Sequence, residues 1–324
     1  MTCTAHIGRM QAIGIGKETT AGTQVSATDR LAKTSGLLKP VIETLKDTAW
    51  YGVIDTVYDV QTVKEHTETN IEWTITDDSF GLLLLWALGT VAKSWSWPYT
   101  HAFTRSNTNC HPSFSIRGVD PVGTVASTYS MVQSLNISVE AEDYATFSCN
   151  MLGKKGTSES APTVSYASET LFRAKDCKVY FASTEWGLAG ATAISVNSVN
   201  LNIEKNLMVH QSVWSVDIDK IFNQNFDVSG DFEAIFSNTD YQVIARDGTK
   251  QYMKIEFINP DVDLAVSGNP TLSFTFAKVA FESWDSSDDN DAIVTQTVGF
   301  VASYNNTDGY SVKATMINDN ATGY

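Results

Sequence analysis

The sequence predicts a mostly β protein that contains two copies of one β-sandwich unit, each with one flanking α-helix. Alternation of apolar and polar residues, rich in β-branched and aromatic side chains, dominates the 324-residue chain. Only two stretches read as helices, one in each half. The clearest alternating segments are 70–76 (NIEWTIT), 132–140 (VQSLNISVE), 196–204 (VNSVNLNIE), 252–258 (YMKIEFI) and 272–276 (LSFTF).

The stretch GIGKETTAGT at 14–23 does not fit a phosphate-binding loop. Gln11 stands where a Walker A loop needs its first glycine, and Glu18 replaces the hydroxyl residue that follows the lysine. The dinucleotide pattern fails too, because Thr19 occupies the third glycine position. We therefore predict that residues 1–36 form a flexible, extended N-terminal arm. Its glycines would allow tight turns or close packing against a neighbouring subunit.

Residues 46–68 form a long loop ahead of the first central strand. They carry Trp50, Tyr51 and Tyr58 among alternating valines such as Val57. Exposed aromatic and β-branched surface of this kind seldom stays bare on a monomer. Extended arms and loops suit strand addition between subunits, so this segment indicates self-assembly.

The first helix is predicted at 78–88, with Asp77 or Asp78 as its N-cap and Gly89 as its stop. Its apolar run, GLLLLWAL, is far shorter than the roughly 20 residues that a membrane span needs, so we interpret it as a buried helix. The second helix is shorter. It is predicted at about 238–246 and ends at the Asp-Gly pair that follows.

An internal repeat connects the two halves. The segment NIEWTIT-DDSF aligns without a gap with DFEAIFS-NTDY (231–241), and FSIRGVDP (114–121) matches MKIEFINP (253–260). In both halves a strand, a polar cap, a helix and a strand ending in Asp-Pro or Asn-Pro follow in the same order. A third similarity, between 132–140 and 196–204, does not share this register. Those two segments are either equivalent strands of a β-meander or similar by chance.

The two copies are separated by a stretch of unusual composition. The segment GKKGTSESAPTVSYASET is rich in Gly, Ser and Thr and is typical of a linker. We therefore divide the chain into an N-terminal arm (1–36), a first unit (37–153), a linker (154–170) and a second unit (171–324).

Composition and motifs argue against several functional classes. The net charge of -15, from 37 acidic and 22 basic residues, disfavours binding DNA through its phosphates. The four cysteines form no CxxC pair and the N-terminus lacks an apolar run, which suits a reducing compartment and no secretory signal. None of the five histidines lies in HExxH, and no serine lies in a GxSxG elbow. We predict a protein that is not an enzyme and uses no cofactor.

Two groups of candidate metal ligands have competing interpretations. Cys3 and His6, together with the adjacent Cys110 and His111, could supply zinc ligands, but their spacing matches no common structural site. Unrelated loop residues are the simpler interpretation. The acidic run at 285–291 (DSSDDND) is oxygen-rich but lacks the glycine and the final glutamate of an EF-hand loop. A solvated loop explains it as well, and we predict no metal site.

The aromatic cluster WSWPY at 95–99 supports an alternative function. Carbohydrate-binding surfaces use such clusters, although core or interface packing explains them equally. The chain would then be a monomeric carbohydrate- or surface-binding β-sandwich. Loss of glycan binding on Trp97→Ala, without any assembly, would distinguish this alternative.

Four passages together resemble a known family. They are IGKETTAGT followed by LAKTSGLLKP, the long loop, the strand-to-helix passage NIEWTITDDSFGLLLLWALG and the closing FVASYNNTDGYSVKATMIN. They are similar to the tail tube (major tail) proteins of long-tailed bacteriophages, of the two-domain type. The resemblance implies a duplicated tail-tube-like β-sandwich whose strands join across subunits into a closed barrel. Its helices would lie outside, and its loops and arms would bridge stacked rings.

The resemblance also implies function, partners and location. It implies a virion protein of the phage tail, assembled in the host bacterial cytoplasm, that self-assembles into the tube through which the genome is ejected. The implied ring has three chains with pseudo-sixfold symmetry, or alternatively six chains. Other implied partners are the tail terminator, distal tail and tape measure proteins. Viral DNA would pass through the lumen without specific binding, and no membrane is involved.

Alternation and the resemblance together assign site residues. Apolar positions such as Ile71 and Leu201 would face the core, and polar positions on the opposite strand face would line the lumen. An acidic lumen would repel DNA phosphate. The predicted lumen residues are Glu72, Glu140, Asn200, Asn202 and Glu204. The predicted contacts between rings or subunits are Lys17, Glu18, Trp50, Tyr51, Val57 and Tyr58.

Overall fold

The computed structural model describes residues 6–264, 268–287 and 293–324. These residues form seventeen strands and two α-helices, which confirms the mostly β prediction. The strands are β1 (Ala12–Lys17), β2 (Asp29–Leu31), β3 (Lys39–Asp47), β4 (Asp59–Thr74), β5 (Gly89–Lys93), β6 (Tyr99–Arg105), β7 (Phe114–Val119), β8 (Thr124–Glu140), β9 (Thr146–Gly153), β10 (Thr157–Glu159), β11 (Cys177–Ala182), β12 (Ser198–His210), β13 (Lys220–Ile235), β14 (Gln251–Ile258), β15 (Thr271–Ser286), β16 (Thr295–Ala302) and β17 (Val312–Asn318). The helices are α1 (Phe80–Leu88) and α2 (Asp240–Asp247), with short 3-10 turns at Gly8–Met10, Ala174–Asp176 and Trp186–Ala189.

The strands fall into two sets that share one antiparallel pairing pattern. In the first set β7 lies between β1 and β8, β8 also pairs with β9 and β10, and β4 joins β9 to β3. In the second set β14 lies between β11 and β15, β15 also pairs with β16 and β17, and β13 joins β16 to β12. Helix α1 follows β4, and α2 follows β13. This correspondence is consistent with the predicted duplication.

The long strands β8 and β15 each belong to two layers of a sandwich. The first part of β8 pairs with β7, and its second part pairs with β9. In the same way β15 pairs first with β14 and then with β16. A register shift lies at each change of layer, between Ser127 and Ser130 in β8 and between Phe276 and Val279 in β15, and a second shift follows Val132 and Phe281. Such bulges bend a strand, so each long strand can turn the corner between layers.

Two strand pairings fuse the units into one sheet. The second part of β8 pairs with β12, from Glu140 opposite Ser198 to Ser134 opposite Glu204. In the other layer β6 pairs with β17. One apolar core therefore runs through both units. The third sequence similarity, between 132–140 and 196–204, lies in strands that pair with each other, not in strands at equivalent positions.

Helix α1 is buried on every side. All nine of its residues are buried, and the Trp86 ring stacks on Phe114 with 4.0 Å between centroids. The C-terminal segment covers the helix, because the Tyr324 ring packs where a Cβ on Gly81 would lie. Gly89 ends the helix in a left-handed conformation with φ 102°, as its sequence position predicts.

The predicted N-cap of α1 is wrong, because Ser79 and not Asp77 or Asp78 occupies that position. Its main-chain N–H donates to the Glu169 carboxylate at 2.5 Å, so the predicted linker supplies the cap. Asp77 instead accepts the N–H of Thr170 at 2.8 Å. Burial raises the pKa of all three carboxyl groups. The 154–170 segment therefore packs against the first unit at this point.

A buried lysine connects the second unit to α1. Lys205 of β12 is 1% exposed, and its Nζ donates to the Trp86 carbonyl oxygen at 2.6 Å. This carbonyl lies in the last turn of α1, where the helix dipole favours a positive charge. Burial nevertheless lowers the pKa of Lys205 to about 7. Burial, together with the Lys205 charge, also lowers the pKa of His111 to about 4.

Candidate assembly surfaces

One layer of the molecule presents a continuous, mostly polar face, here called the polar sheet. Its strands lie in the order β4, β9, β8, β12, β13, β16 and β15. Because strand side chains alternate between faces, the residues between the buried ones share the outer face. In β12, for example, Leu201 and Ile203 are buried while Asn202 and Glu204 face outward. The paired stretches are 67–74, 146–153, 131–140, 198–204, 227–235, 295–302 and 279–286.

All five predicted lumen residues lie on this outer face. Asn200 and Asn202 of β12 are half-buried between neighbouring strands, as is Glu72 of β4. Glu140, at the end of β8, and Glu204 are exposed. The sheet brings these side chains together from three strands that are distant in sequence. Whether the face lines a lumen stays a prediction.

Side-chain hydrogen bonds run across the strands of the polar sheet. Ser138 Oγ donates to Asn200 Oδ1 at 2.8 Å, and Asn200 Nδ2 donates to Asp231 Oδ2 at 3.0 Å. This chain of bonds crosses β8, β12 and β13. On the other side of β8, Asn150 Nδ2 donates to Ser134 Oγ at 2.9 Å. The ladder fixes the polar side chains in place and spans the junction between the units.

The polar sheet is acidic. Its seven paired stretches contain no Lys, Arg or His. Besides the predicted Glu72, Glu140 and Glu204, the outer face of β13 carries Asp231 and Glu233. Sequence reasoning missed these two, although the alignment of β4 with β13 places Glu233 at the position of Glu72. The face is therefore acidic, and these stretches contribute no basic side chain to it.

The predicted long loop is a β-hairpin formed by β3 and β4, here called the first hairpin. Its tip residues Trp50 and Ile54 are fully exposed, and Tyr58 is 67% exposed. The Tyr51 and Tyr58 rings stack with centroids 4.0 Å apart. Tyr51 also donates to Asp47 Oδ2 at 2.6 Å, a bond that raises the pKa of Tyr51 and lowers that of Asp47. The tip is thus an ordered apolar surface that the rest of the chain leaves uncovered.

A second hairpin, formed by β12 and β13, was not predicted as a contact surface. Its tip carries Val213, fully exposed, and Trp214, 85% exposed. The two hairpins touch, because the Glu65 N–H donates to the Val216 carbonyl at 2.7 Å. The signal was available in the sequence, since the repeat alignment places this tip at the position of the first hairpin.

The described part of the N-terminal segment is not the flexible arm that we expected. Residues Ala12–Lys17 form β1, whose first five residues are buried between β2 and β7. The glycines serve packing inside the chain. A Cβ on Gly16 would lie 2.3 Å from the Ser26 carbonyl oxygen, and one on Gly14 would lie 2.9 Å from Pro162.

The two predicted contact residues of this segment differ in their surroundings. Lys17 is exposed, and its Nζ donates to the Tyr324 main-chain oxygen at 3.1 Å. Glu18 is only 7% exposed, and its carboxylate accepts hydrogen bonds from both the Ser113 and Ser115 hydroxyls, at 2.6 and 2.9 Å. The main-chain N–H groups of Tyr129 and Gly22 also donate to it. Glu18 therefore fixes loops of its own chain.

The candidate chemical sites are not assembled by the fold. Cys110 is exposed while the neighbouring His111 is buried and contacts the Ser106 carbonyl at 3.1 Å. Cys3 and most of the 285–291 run lie outside the described residues. Within the described residues no cluster of His, Cys, Asp or Glu could hold a metal ion. Nor do they contain a helix long and apolar enough to cross a bilayer.

The aromatic cluster at 95–99 lies in the loop between β5 and β6, where Trp95 is exposed and Trp97 is less exposed.

The chain matches one known protein family. The family model described as phage tail tube protein matches residues 8–311. No curated protein sequence matches the chain. The family match spans β1 to the loop before β17 and so includes both sets of strands, the polar sheet and both hairpins. The chain therefore belongs to the phage tail tube protein family and is a structural protein of the virion tail.

Proposed function

We propose that copies of this chain assemble into rings, that the rings stack into the tail tube, and that the genome is ejected through it. The observation that carries the proposal is the polar sheet, a seven-strand surface with an acidic outer face and a continuous apolar core behind it. A surface that is mostly polar and free of basic residues suits a water-filled channel. The tube would assemble in the host bacterial cytoplasm.

The acidic face would act on DNA through repulsion. Protein surfaces bind DNA by neutralising its phosphates with Lys and Arg, and the polar sheet offers none. Carboxylates such as Glu140 and Glu204 would keep the duplex away from the wall. DNA would then pass without specific binding.

The two sets of strands support a ring of three chains. Each chain would contribute two similar units, so that three chains give pseudo-sixfold symmetry. Six chains, with the second unit outside the ring, are the alternative. The internal β8–β12 pairing favours three, because it places strands of both units side by side in the polar sheet.

The hairpins are the proposed contacts between stacked rings. The tip of the first hairpin exposes Trp50, Tyr51, Val57 and Tyr58, and that of the second exposes Trp214. Burial of such aromatic side chains dominates interface energies. Lys17, which is also exposed, could add a contact at a ring edge. At the two ends of the tube the same surfaces would meet the tail terminator and distal tail proteins, and the lumen would hold the tape measure protein.

Negative-stain electron microscopy of the concentrated, purified chain tests the proposal. We expect rings or hollow tubes with a central pore, and class averages that distinguish three chains from six. Particles that remain single chains at every concentration, even with purified tail terminator or distal tail protein added, would contradict it. In that case glycan binding by the wild type and by the Trp97→Ala variant should be compared.

Placing positive charge on the polar sheet should make the tube retain DNA. For Glu140→Lys combined with Glu204→Lys, we expect tubes of unchanged diameter that bind short duplex DNA, with affinity falling as salt rises. The matched control makes the same charge change on the exposed helix α2, with Asp240→Lys and Asp247→Lys. Equal DNA binding by both variants, or by neither, would argue against the polar sheet as the lumen wall. DNA retention on assembled tubes is measured by co-sedimentation.

A further inference from the structure

The polar sheet ends in two open strand edges. At one end, β3 pairs with β4 only. At the other end, the part of β15 from Phe281 to Ser286 pairs with β16 only. Within the described residues no strand covers the outer edge of either segment. Unpaired main-chain groups in such edges are templates for pairing with another chain.

The junction inside the chain indicates what each open edge would bind. In the shared pairing pattern β8 corresponds to β15, and β12 corresponds to β3. The internal junction pairs β8 with β12, so the same geometry between two copies would pair β15 of one chain with β3 of the next. We propose that neighbouring chains join in this way, in the register of the β8–β12 junction. The inference rests on the proposed function and adds the partner strands and their register.

The register follows from two alignments. The bulges of β8 and β15 align Ser134 with Ser283, because each is the first paired residue after the second register shift. The second alignment concerns β3 and β12. The gapless alignment of β4 with β13, extended back by two residues, makes Glu68 and Ser229 equivalent. Because Lys39 pairs with Glu68 and Asn202 pairs with Ser229, Lys39 is the equivalent of Asn202.

The internal pairs then predict the contacts between chains. Asn202 lies opposite Asn136 and Glu204 lies opposite Ser134. The equivalent contacts between chains place Lys39 opposite Asp285, Pro40 opposite Trp284 and Val41 opposite Ser283.

The residues brought together are chemically complementary. Lys39 and Asp285 are both exposed and have opposite charge, and opposite charges across a strand pair attract. Pro40 would lie on the Trp284 ring, which is only partly buried in the single chain. The pairing would extend the polar face of one chain into that of the next.

Pro40 would limit uncontrolled pairing of chains at this edge. Ser35 and Glu72 exchange both main-chain hydrogen bonds, at 3.4 and 3.3 Å. Pro40 lies five residues further in the same register, so its nitrogen faces the open edge and has no hydrogen to donate. Edge prolines oppose uncontrolled strand addition. The junction between chains would therefore lack one ladder bond and rely more on side chains.

Disulfide cross-linking tests the partner strands and the register. Directly opposite residues in an antiparallel pair are close enough for a disulfide, so we expect Val41→Cys with Ser283→Cys to cross-link chains on oxidation. Cys3 and the exposed Cys110 are first replaced by serine to remove background. In a closed ring each chain is bonded at both edges. The largest covalent species on a non-reducing gel then counts the chains.

A register-shifted pair is the matched control. Glu43→Cys with Ser283→Cys keeps the strands but displaces one cysteine by two residues, and we expect several-fold less cross-linking. Electron microscopy of the same samples separates the possible failures. Rings or tubes without the Val41–Ser283 bond, or with preferential Glu43–Ser283 bonding, would overturn the proposed junction and leave the proposed function intact. Absence of both rings and cross-links would overturn both.

Charge exchange gives an independent readout. Lys39→Asp and Asp285→Lys should each weaken ring formation, since each places like charges opposite one another. The double exchange should restore it, because the pair is again complementary. Failure of the double variant to recover assembly, with rings present in the wild type, would contradict the Lys39–Asp285 contact.

Discussion

Replacing Lys205 by methionine should abolish most of the rise in stability that we expect of the wild type between pH 6 and pH 9.5. At pH 6 the variant should be the more stable protein, because the wild type must keep a charged ammonium in the core. At pH 9.5 the variant should be slightly less stable. It then lacks the hydrogen bond to the Trp86 carbonyl, worth about 1 kcal/mol.

The direction in which stability changes with pH follows from the lowered pKa of Lys205, which is about 7 in the folded chain against an ordinary value of 10.5. Below pH 7 both the folded and the unfolded chain carry the proton. Between these two pKa values the unfolded chain holds a proton that the folded chain has released, so the free energy of unfolding rises with pH. A difference of this size between the two pKa values corresponds to an effect on the order of 5 kcal/mol, most of it between pH 7 and pH 9.5.

Urea denaturation of dilute, unassembled protein at pH 6, 8 and 9.5 measures this effect through tryptophan fluorescence. The matched control is Lys178→Met, which removes an exposed lysine from β11 and should leave the wild-type pH dependence unchanged. Identical pH profiles for Lys205→Met and the wild type would show that the buried amine does not control the pH response.

Replacing both Trp50 and Tyr58 by serine should abolish tube growth without unfolding the chain. Trp50 is fully exposed and Tyr58 is 67% exposed, so neither supports the core of the single chain. If the first hairpin binds a neighbouring ring, the loss of two aromatic anchors should cost at least 2 kcal/mol per contact. Because each ring repeats that contact, tubes should give way to single rings or dispersed chains.

Electron microscopy and sedimentation of matched samples measure the outcome, and thermal unfolding of dilute protein verifies the fold. Trp186→Ser is the matched control, since Trp186 is 92% exposed but lies outside both hairpins. If the variant that lacks Trp50 and Tyr58 forms normal tubes, the first hairpin does not supply the contact between rings. Equal loss of tubes in the control would mean that general surface hydrophobicity, and not this hairpin, drives stacking.

Much of the fold could be predicted because local pattern and burial agree. Alternation along β12 predicted the outward positions of Asn200, Asn202 and Glu204, because successive side chains of a strand point to opposite faces of the sheet. Both helices lie within two residues of their predicted bounds, although Ser79 and not an aspartate is the N-cap of α1. The polar face could be predicted for the same reason, although several of its acidic residues, such as Asp231 and Glu233, were missed.

The contacts that alternation does not encode escaped prediction. Glu18 lies in a polar, Gly-rich stretch that is typical of a surface segment, yet hydroxyl groups about a hundred residues away solvate it. Lys205 stands at an inward position of β12, in line with Leu201 and Ile203, and only the tertiary position of α1 supplies its acceptor. The Glu169 cap comes from a stretch whose composition suggests a loose linker. Each depends on pairing between distant segments, which sequence composition does not report.

The fusion of the two units also determines when the chain can fold. Strand β6, complete by residue 105, waits for a partner that begins at residue 312, and β8 waits for β12. Pairings between such distant segments form slowly, because the intervening chain must close into a long loop, at a cost in entropy, before the contact stabilises it. During synthesis the first unit therefore has unpaired edges for most of translation. A ribosome-bound chain that lacks β17 should depend on chaperones, and only a finished chain should be competent to join a ring.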